Sequence, residues 1–218
     1  MKPNEGQSIR PERVGSVAGV LLAAGSSTRM GRNKLLLPLD GESVLRRAVM
    51  RALASGLDPV LVVLGHESER VSRELSGLPC RPVQNPGHAG GIQTSLKAGI
   101  AAIPAEARAA VVLLADMPLV TREMLAAVVE RYRESQASLV LSEYGGVQAP
   151  PTLYDRSLFA ELLAEEGEGC SKRVIRRHSA DAETLSWPAA TLADLDSPED
   201  YDRVRGHSRG ETPCAPIC

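Results

Sequence analysis

Short apolar runs alternate with amphipathic stretches along this chain. Val17–Ala23 is continuously apolar and stops at Ala24-Gly25, the pattern of a strand buried on both faces. A loop of small residues, Gly25–Gly31, and the segment Lys34-Leu-Leu-Leu-Pro38 follow. Ser43 is placed to cap a helix to about Ser55, with Val44, Leu45, Ala48, Val49, Ala52 and Leu53 on one face and Gly56 as its stop. Val60–Leu64 predicts a second buried strand, Ser68–Leu75 a short helix, and Arg81–Gln84 a brief strand broken by Asn85-Pro86-Gly87. Gly90-Gly91-Ile92 leads into a helix ending near Ile103. Ala109–Leu114 predicts a third strand, ending at Ala115-Asp116-Met117-Pro118, and Thr121 caps a helix through about Glu134. Ser138–Ser142 reads as a further strand, Asp155–Glu165 and Ser171–Arg177 as helices, and Leu192–Leu195 as a last short strand before a helix to about Val204. Residues 1–15 and the Gly/Pro/Ser-rich tail 207–218 are expected to be disordered, which leaves 16–206 as a single domain.

Apolar strands alternating with amphipathic helices predict an α/β protein whose mainly parallel sheet is covered on both faces. Ligands of such sheets bind outside the carboxyl ends of the strands. Three polar points sit at expected strand ends: the loop with Lys34, Asp116, and Asp196. The 218 residues, 43% hydrophobic, suffice for a real core. No apolar run approaches the ~18 residues of a membrane span, and the polar Met1–Arg13 does not read as a secretory signal. A net charge of −2 offers no electrostatic footprint for nucleic acid. Cys80, Cys170, Cys214 and Cys218 are too few for a disulfide framework, and the four histidines fall in no metal-ligand spacing. A cytoplasmic protein is the expectation. Only four of the 25 basic residues are lysine, so Lys34 beside a glycine-rich loop stands out.

Leu22-Ala-Ala-Gly-Ser-Ser-Thr-Arg-Met-Gly31 is small enough for its backbone N–H groups to approach phosphate oxygens, and Arg29 and Lys34 add positive charge. It is neither a Walker A motif nor a dinucleotide-binding loop, so a plain strand–turn stays open beside phosphate binding. Asp116, just past a buried apolar strand, is placed to cap the following turn. Asp196 is placed to cap the helix at Ser197-Pro198, with Asp194 two residues away on the same face of the expected strand. Asn85–Thr94 places a turn and two glycines before a helix N-terminus, where donors and dipole suit an anion or the polar edge of a base. His88 falls close enough to this loop to reach a pocket, or else it lies on the surface.

The stretch LAAGSSTRMGRNKLLLP resembles the signature of the MobA/MocA-like nucleotidyltransferases, matching it at Ala24, Gly25, Ser27, Arg29, Met30, Gly31, Lys34 and Pro38. Asn85-Pro86 with Gly91 and Thr94-Ser95-Leu96, Leu114-Ala-Asp-Met-Pro118, and Asp194-Leu-Asp-Ser-Pro-Glu-Asp200 agree in the same order. The resemblance implies a three-layer α/β/α, Rossmann-like nucleotidyltransferase. It implies Arg29, Lys34 and Asp116 as catalytic residues, and Asp116 and Asp196 as ligands of Mg²⁺. Nucleotide contacts would come from Leu22, Ala23, Ala24, Gly25, Ser26, Ser27, Arg29, Lys34, Asn85, Gly91 and Ser95. The Leu22-Ala23-Ala24-Gly25 form resembles the cytidylyltransferases that attach CMP from CTP to molybdopterin, the molybdenum cofactor precursor, rather than the guanylyltransferases. A recipient molybdoenzyme is an implied partner. Gln148-Ala-Pro-Pro151 and Gly167-Glu-Gly-Cys-Ser171 depart from the family pattern in its acceptor-binding part. That keeps two other readings open: transfer to another phosphorylated acceptor, with GTP or a sugar or alcohol phosphate, and a non-catalytic protein that delivers the cofactor.

Overall fold

The computed structural model describes residues 15–26 and 31–207, the side chains of residues 206 and 207 excepted. The expected disordered ends, the C-x3-C pair Cys214/Cys218 and the site candidates Ser27 and Arg29 fall outside the described residues. The strands are β1 (Ser16–Ala23), β2 (Pro38–Leu39), β3 (Glu42–Ser43), β4 (Val60–Leu64), β5 (Arg81–Gln84), β6 (Ala107–Leu114), β7 (Leu139–Tyr144), β8 (Val147–Asp155) and β9 (Glu183–Trp187). β2 and β3 form a small antiparallel ladder; the other seven make one sheet in the order β5-β4-β1-β6-β8-β7-β9. All seven run parallel except β8, which is antiparallel to both neighbours.

Alternation along β1 divides the core into two layers. Val17, Leu21 and Ala23 join the cluster under α1 (Val44–Ala54) and α4 (Arg122–Glu134), whereas Ala18, Val20 and Leu22 join the one under α3 (Ile92–Ala101) and α5 (Phe159–Ala164). This is the expected three-layer arrangement. Ser43 and Thr121 cap α1 and α4, accepting from the N–H groups of Arg46 and Met124 at 3.2 Å each. Gly99 lets α3 press against the sheet: a Cβ there would lie 2.4 Å from Val20 Cγ1. Remaining helices are α2 (Ser68–Arg73), α6 (Cys170–His178) and α7 (Pro198–His207), and no helix among the described residues is long and apolar enough to cross a membrane.

The second half of the sheet departs from the sequence reading. Two strands, β8 and β9, were not anticipated. β8 contains Pro150-Pro151, and proline cannot donate to a ladder. Both prolines fall where no ladder is asked of them: pairing with β7 slips between Val140 and Ser142, and pairing with β6 begins at Thr152. In β9 only Leu185 and Trp187 are buried among five residues, so its apolar signal is weak. Leu192–Leu195 is not a strand. It is held instead by the buried Leu195 side chain and by hydrogen bonds from Leu192 N–H to the Ala189 carbonyl (3.1 Å) and from Leu195 N–H to the Asp116 carbonyl (3.2 Å). The helix expected over Asp155–Glu165 divides into a tight turn at Arg156–Leu158 and α5, because Asp155 accepts from the Ser157 N–H (2.9 Å).

From β1 the chain winds outward through β4 and β5, then crosses back to β6 on the other side of β1. The winding therefore reverses between β1 and β6, and the crevice beyond their carboxyl ends is where a ligand of such a sheet is held.

Candidate functional site

Lys34 reaches that crevice from a single helical turn, Lys34–Leu36. Buried Asn33 sets the turn by accepting from the Leu35 N–H (3.1 Å) and is itself fixed by donating to Glu67 Oε2 (3.0 Å). Buried Leu35 and Leu37 anchor the segment to the core. Lys34 Nζ lies 2.5 Å from Asp116 Oδ2 and 2.9 Å from Asp196 Oδ1. Asp116 stands just past β6, and its carbonyl holds the Leu195 N–H, which brings Asp196 alongside.

The cap expected at Asp196 is made elsewhere. The cap of α7 is formed by its neighbours: Asp200 Oδ2 accepts from the Ser197 N–H (2.9 Å) and hydroxyl (2.8 Å), and Ser197 Oγ accepts from the Asp200 N–H (3.2 Å). The Asp196 carboxylate faces Lys34 instead. Burial works against protonated Lys34, but the Asp116 and Asp196 carboxylates outweigh it and raise the ammonium pKa. Burial, then the charges of Asp116 and Asp196, push the Asp194 carboxyl upward. Hard oxygen donors from two separate segments thus converge on one cation, a donor set that suits a divalent metal.

A cavity of about 500 Å³ opens beside this cluster. Leu22, Ala23, Ala24, Gly25 and Ser26 line it together with Lys34, Gly91, Ser95 and Asp116, so nine of the sequence candidates share one wall. Asn85 does not line the cavity. Buried behind it, Asn85 donates to Thr94 Oγ1 (2.9 Å) and Ser95 Oγ (3.0 Å) and accepts from the Gly87 N–H (3.0 Å), holding the start of α3. Asp196 stands outside the lining and reaches it through Lys34. His88 lines the cavity rather than lying away on the surface. A Cβ on Gly65 would come within 2.5 Å of the His88 Cβ and 2.8 Å of the Ala24 Cβ, so glycine at 65 allows the loop after β1 and the loop after β5 to meet.

A second cavity, about 780 Å³, adjoins the first and shares Leu22, Gly91, Ile92 and Leu114 with it. Both volumes fall within the roughly 300–1,000 Å³ of small-molecule sites. Its apolar wall includes Leu96, Val112, Leu141 and Ile175, and its charged lining comes from Lys172 and Arg176 on α6 and from Glu168 just before that helix. Two other α6 cations face away and are paired, Arg173 with Glu165 (2.6 Å) and Arg177 with Glu161 and Glu165. Among the described residues Lys172 and Arg176 make no ion pair. Sequence reasoning missed both; the clue was the i, i+4 spacing that puts Lys172 and Arg176 on one face of the helix, away from Arg173 and Arg177.

A cavity at the sheet's reversal point, with a cation and carboxylates at its edge, marks the ligand site of a doubly wound α/β protein. Comparison with known proteins sharpens the class. Residues 19–182 match the MobA-like NTP transferase domain, and the chain belongs to that family of nucleotidyltransferase enzymes. It is 34% identical over 206 residues to the purine catabolism protein PucB of Bacillus subtilis, covering 86% of this chain and 95% of that one. It is 30% identical over 200 residues to a probable molybdenum cofactor guanylyltransferase of Opitutus terrae, covering 87% and 95%. Among solved structures, Rv0371c from Mycobacterium tuberculosis superposes with a TM-score of 0.76 at 25% identity, covering 88% of this chain and 98% of that one.

Proposed function

We propose that this protein transfers CMP from CTP to the phosphate of molybdopterin with release of pyrophosphate, acting in the cytoplasm as one domain over residues 16–206. The observation that carries the reading is the Lys34–Asp116–Asp196 cluster at the edge of a cavity walled by the loop after β1. In this reading the amides of that loop, with Arg29 and Lys34, hold the triphosphate. Gly91 and Ser95 face the nucleoside, and Asn85 positions them. Asp116 and Asp196 hold Mg²⁺, which supplies neutralisation of phosphate charge when bound.

The acceptor occupies the second cavity, with its charged groups toward Lys172 and Arg176. An oxygen of its phosphate attacks the α-phosphorus. The bond from that phosphorus to the oxygen leading to the β-phosphate breaks, and pyrophosphate leaves. A phosphate monoester has a second pKa near ~6, so it is largely ionised at neutral pH and needs no protein base. Positioning and charge neutralisation carry the rate.

Ala24 favours cytosine, since its methyl narrows the space a purine ring needs. One specific observation favours the alternative nucleotide: the Opitutus relative carries the name guanylyltransferase. A pyrophosphate-release screen of CTP and GTP against molybdopterin and against sugar and alcohol phosphates tests the reading. Release with CTP and molybdopterin is expected. Release with GTP alone overturns the cytidylyl assignment. Release only with another phosphate overturns the acceptor, and cofactor binding without any release makes the protein a carrier.

A further inference from the structure

We propose that Lys34 is a stand-in cation: in the nucleotide-free protein it occupies the Asp116–Asp196 pair and keeps divalent metal off it, and an arriving triphosphate draws it away. This rests on the reading of those two aspartates as the metal ligands. The ammonium is within 2.5 Å of one carboxylate oxygen and 2.9 Å of the other. A divalent ion using the same two oxygens, at about 2.0–2.6 Å from each, would fall on the space the ammonium fills. The two cations therefore exclude each other by volume and by charge.

Lys34 is built for such an exchange. Its backbone is fixed by the Asn33 cap and by buried Leu35 and Leu37, while the charge sits at the end of a four-carbon stem with several rotatable bonds. The same side chain lines the cavity walled by the loop amides, so a triphosphate there offers the ammonium a second set of anionic oxygens without backbone movement. The carboxylates do not need Lys34 to stay together, because the Leu195 N–H bond to the Asp116 carbonyl ties their two segments. When the stem swings to phosphate, the pair loses the ammonium and stays in place. Metal and nucleotide then bind with positive coupling, and that coupling is reciprocal.

The test is Mn²⁺ binding to the full chain without nucleotide, read from the signal of free Mn²⁺ by electron paramagnetic resonance. Lys34→Met is expected to bind Mn²⁺ about tenfold or more tightly than wild type. Lys34→Arg, which keeps the charge, is expected to stay weak, and Asp116→Asn in the Lys34→Met background is expected to remove the gain. Lys34→Gln serves as a second neutral variant should Lys34→Met fold poorly. Equal or weaker Mn²⁺ binding by the neutral variants overturns the proposal, as does a gain that survives Asp116→Asn. The two readings fail separately. Pyrophosphate release by wild type with no Mn²⁺ gain in the variants removes the stand-in and leaves nucleotidyl transfer. A gain cancelled by Asp116→Asn, with no release from any nucleotide, removes the transfer and leaves the stand-in.

Discussion

The two cavities share a wall yet are built differently. In the first, Lys34 is held by two aspartates, and Ser95 is held from behind the cavity by Asn85. In the second, the two cations at the edge face outward without an ion pair among the described residues, over a largely aliphatic wall. Backbone and buried side chains that are already fixed lose little freedom on binding. Exposed cations on long stems adapt to the shape of an anion and set affinity more than geometry. The loop after β1 and the turn after β6 define the first site through backbone and buried caps. α6 and β8 define the second through side chains.

The largest effect should come from breaking the first cavity. Asp116→Ala is expected to lower kcat/KM for nucleotidyl transfer at least 100-fold, about 2.7 kcal/mol of barrier. The melting temperature should move by only a few degrees, since the carboxylate is part-exposed and the Lys34–Asp196 contact remains. Steady-state kinetics with thermal unfolding decides it: activity within tenfold of wild type removes Asp116 from the machinery, and unfolding at ordinary temperatures makes it structural.

A smaller, selective effect is expected from the second cavity. Lys172→Ala with Arg176→Ala should raise the acceptor KM by about 10–30-fold, as for two charge-assisted contacts of roughly 1 kcal/mol each. The nucleotide KM should stay within twofold. Equal changes in both constants would mean the two cavities do not divide the substrates.

The smallest effect sharpens the nucleotide choice. Ala24→Gly should shift the CTP-to-GTP ratio of kcat/KM toward GTP by a few-fold, because a single methyl discriminates by only about 1–3 kcal/mol even in a tight site. The Ala24 Cβ is buried beside Gly65 and His88, which limits the shift. An unchanged ratio would place base selection wholly at the start of α3.

Much of the molecule was legible because its signals are local. A strand covered on both faces must be apolar throughout, so β1, β4 and most of β6 could be read directly. Ser43 and Thr121 announced their helices because a cap needs a short oxygen-bearing side chain at one position. The glycine loop with Lys34, and Asp116 at a strand end, carried the resemblance to the family that residues 19–182 then matched. The second half of the sheet resisted for the opposite reason. β8 contains two prolines that are tolerated only because the partner strand slips there, and no feature of its own sequence records a neighbour's register.

The sequence by itself determined the α/β class, the buried strands of the first half and the residue types at the nucleotide end, since each follows from burial or from chemistry carried by adjacent residues. Tertiary structure alone decided that Asp196 turns to Lys34 while Ser197 and Asp200 cap α7. It alone decided that Asn85 supports the cavity from behind, and that Lys172 and Arg176 line a second cavity without an ion pair among the described residues while Arg173 and Arg177 are paired. Those outcomes depend on which segments, far apart along the chain, come within a few ångströms, and such distances exist only once both faces of the sheet have been packed.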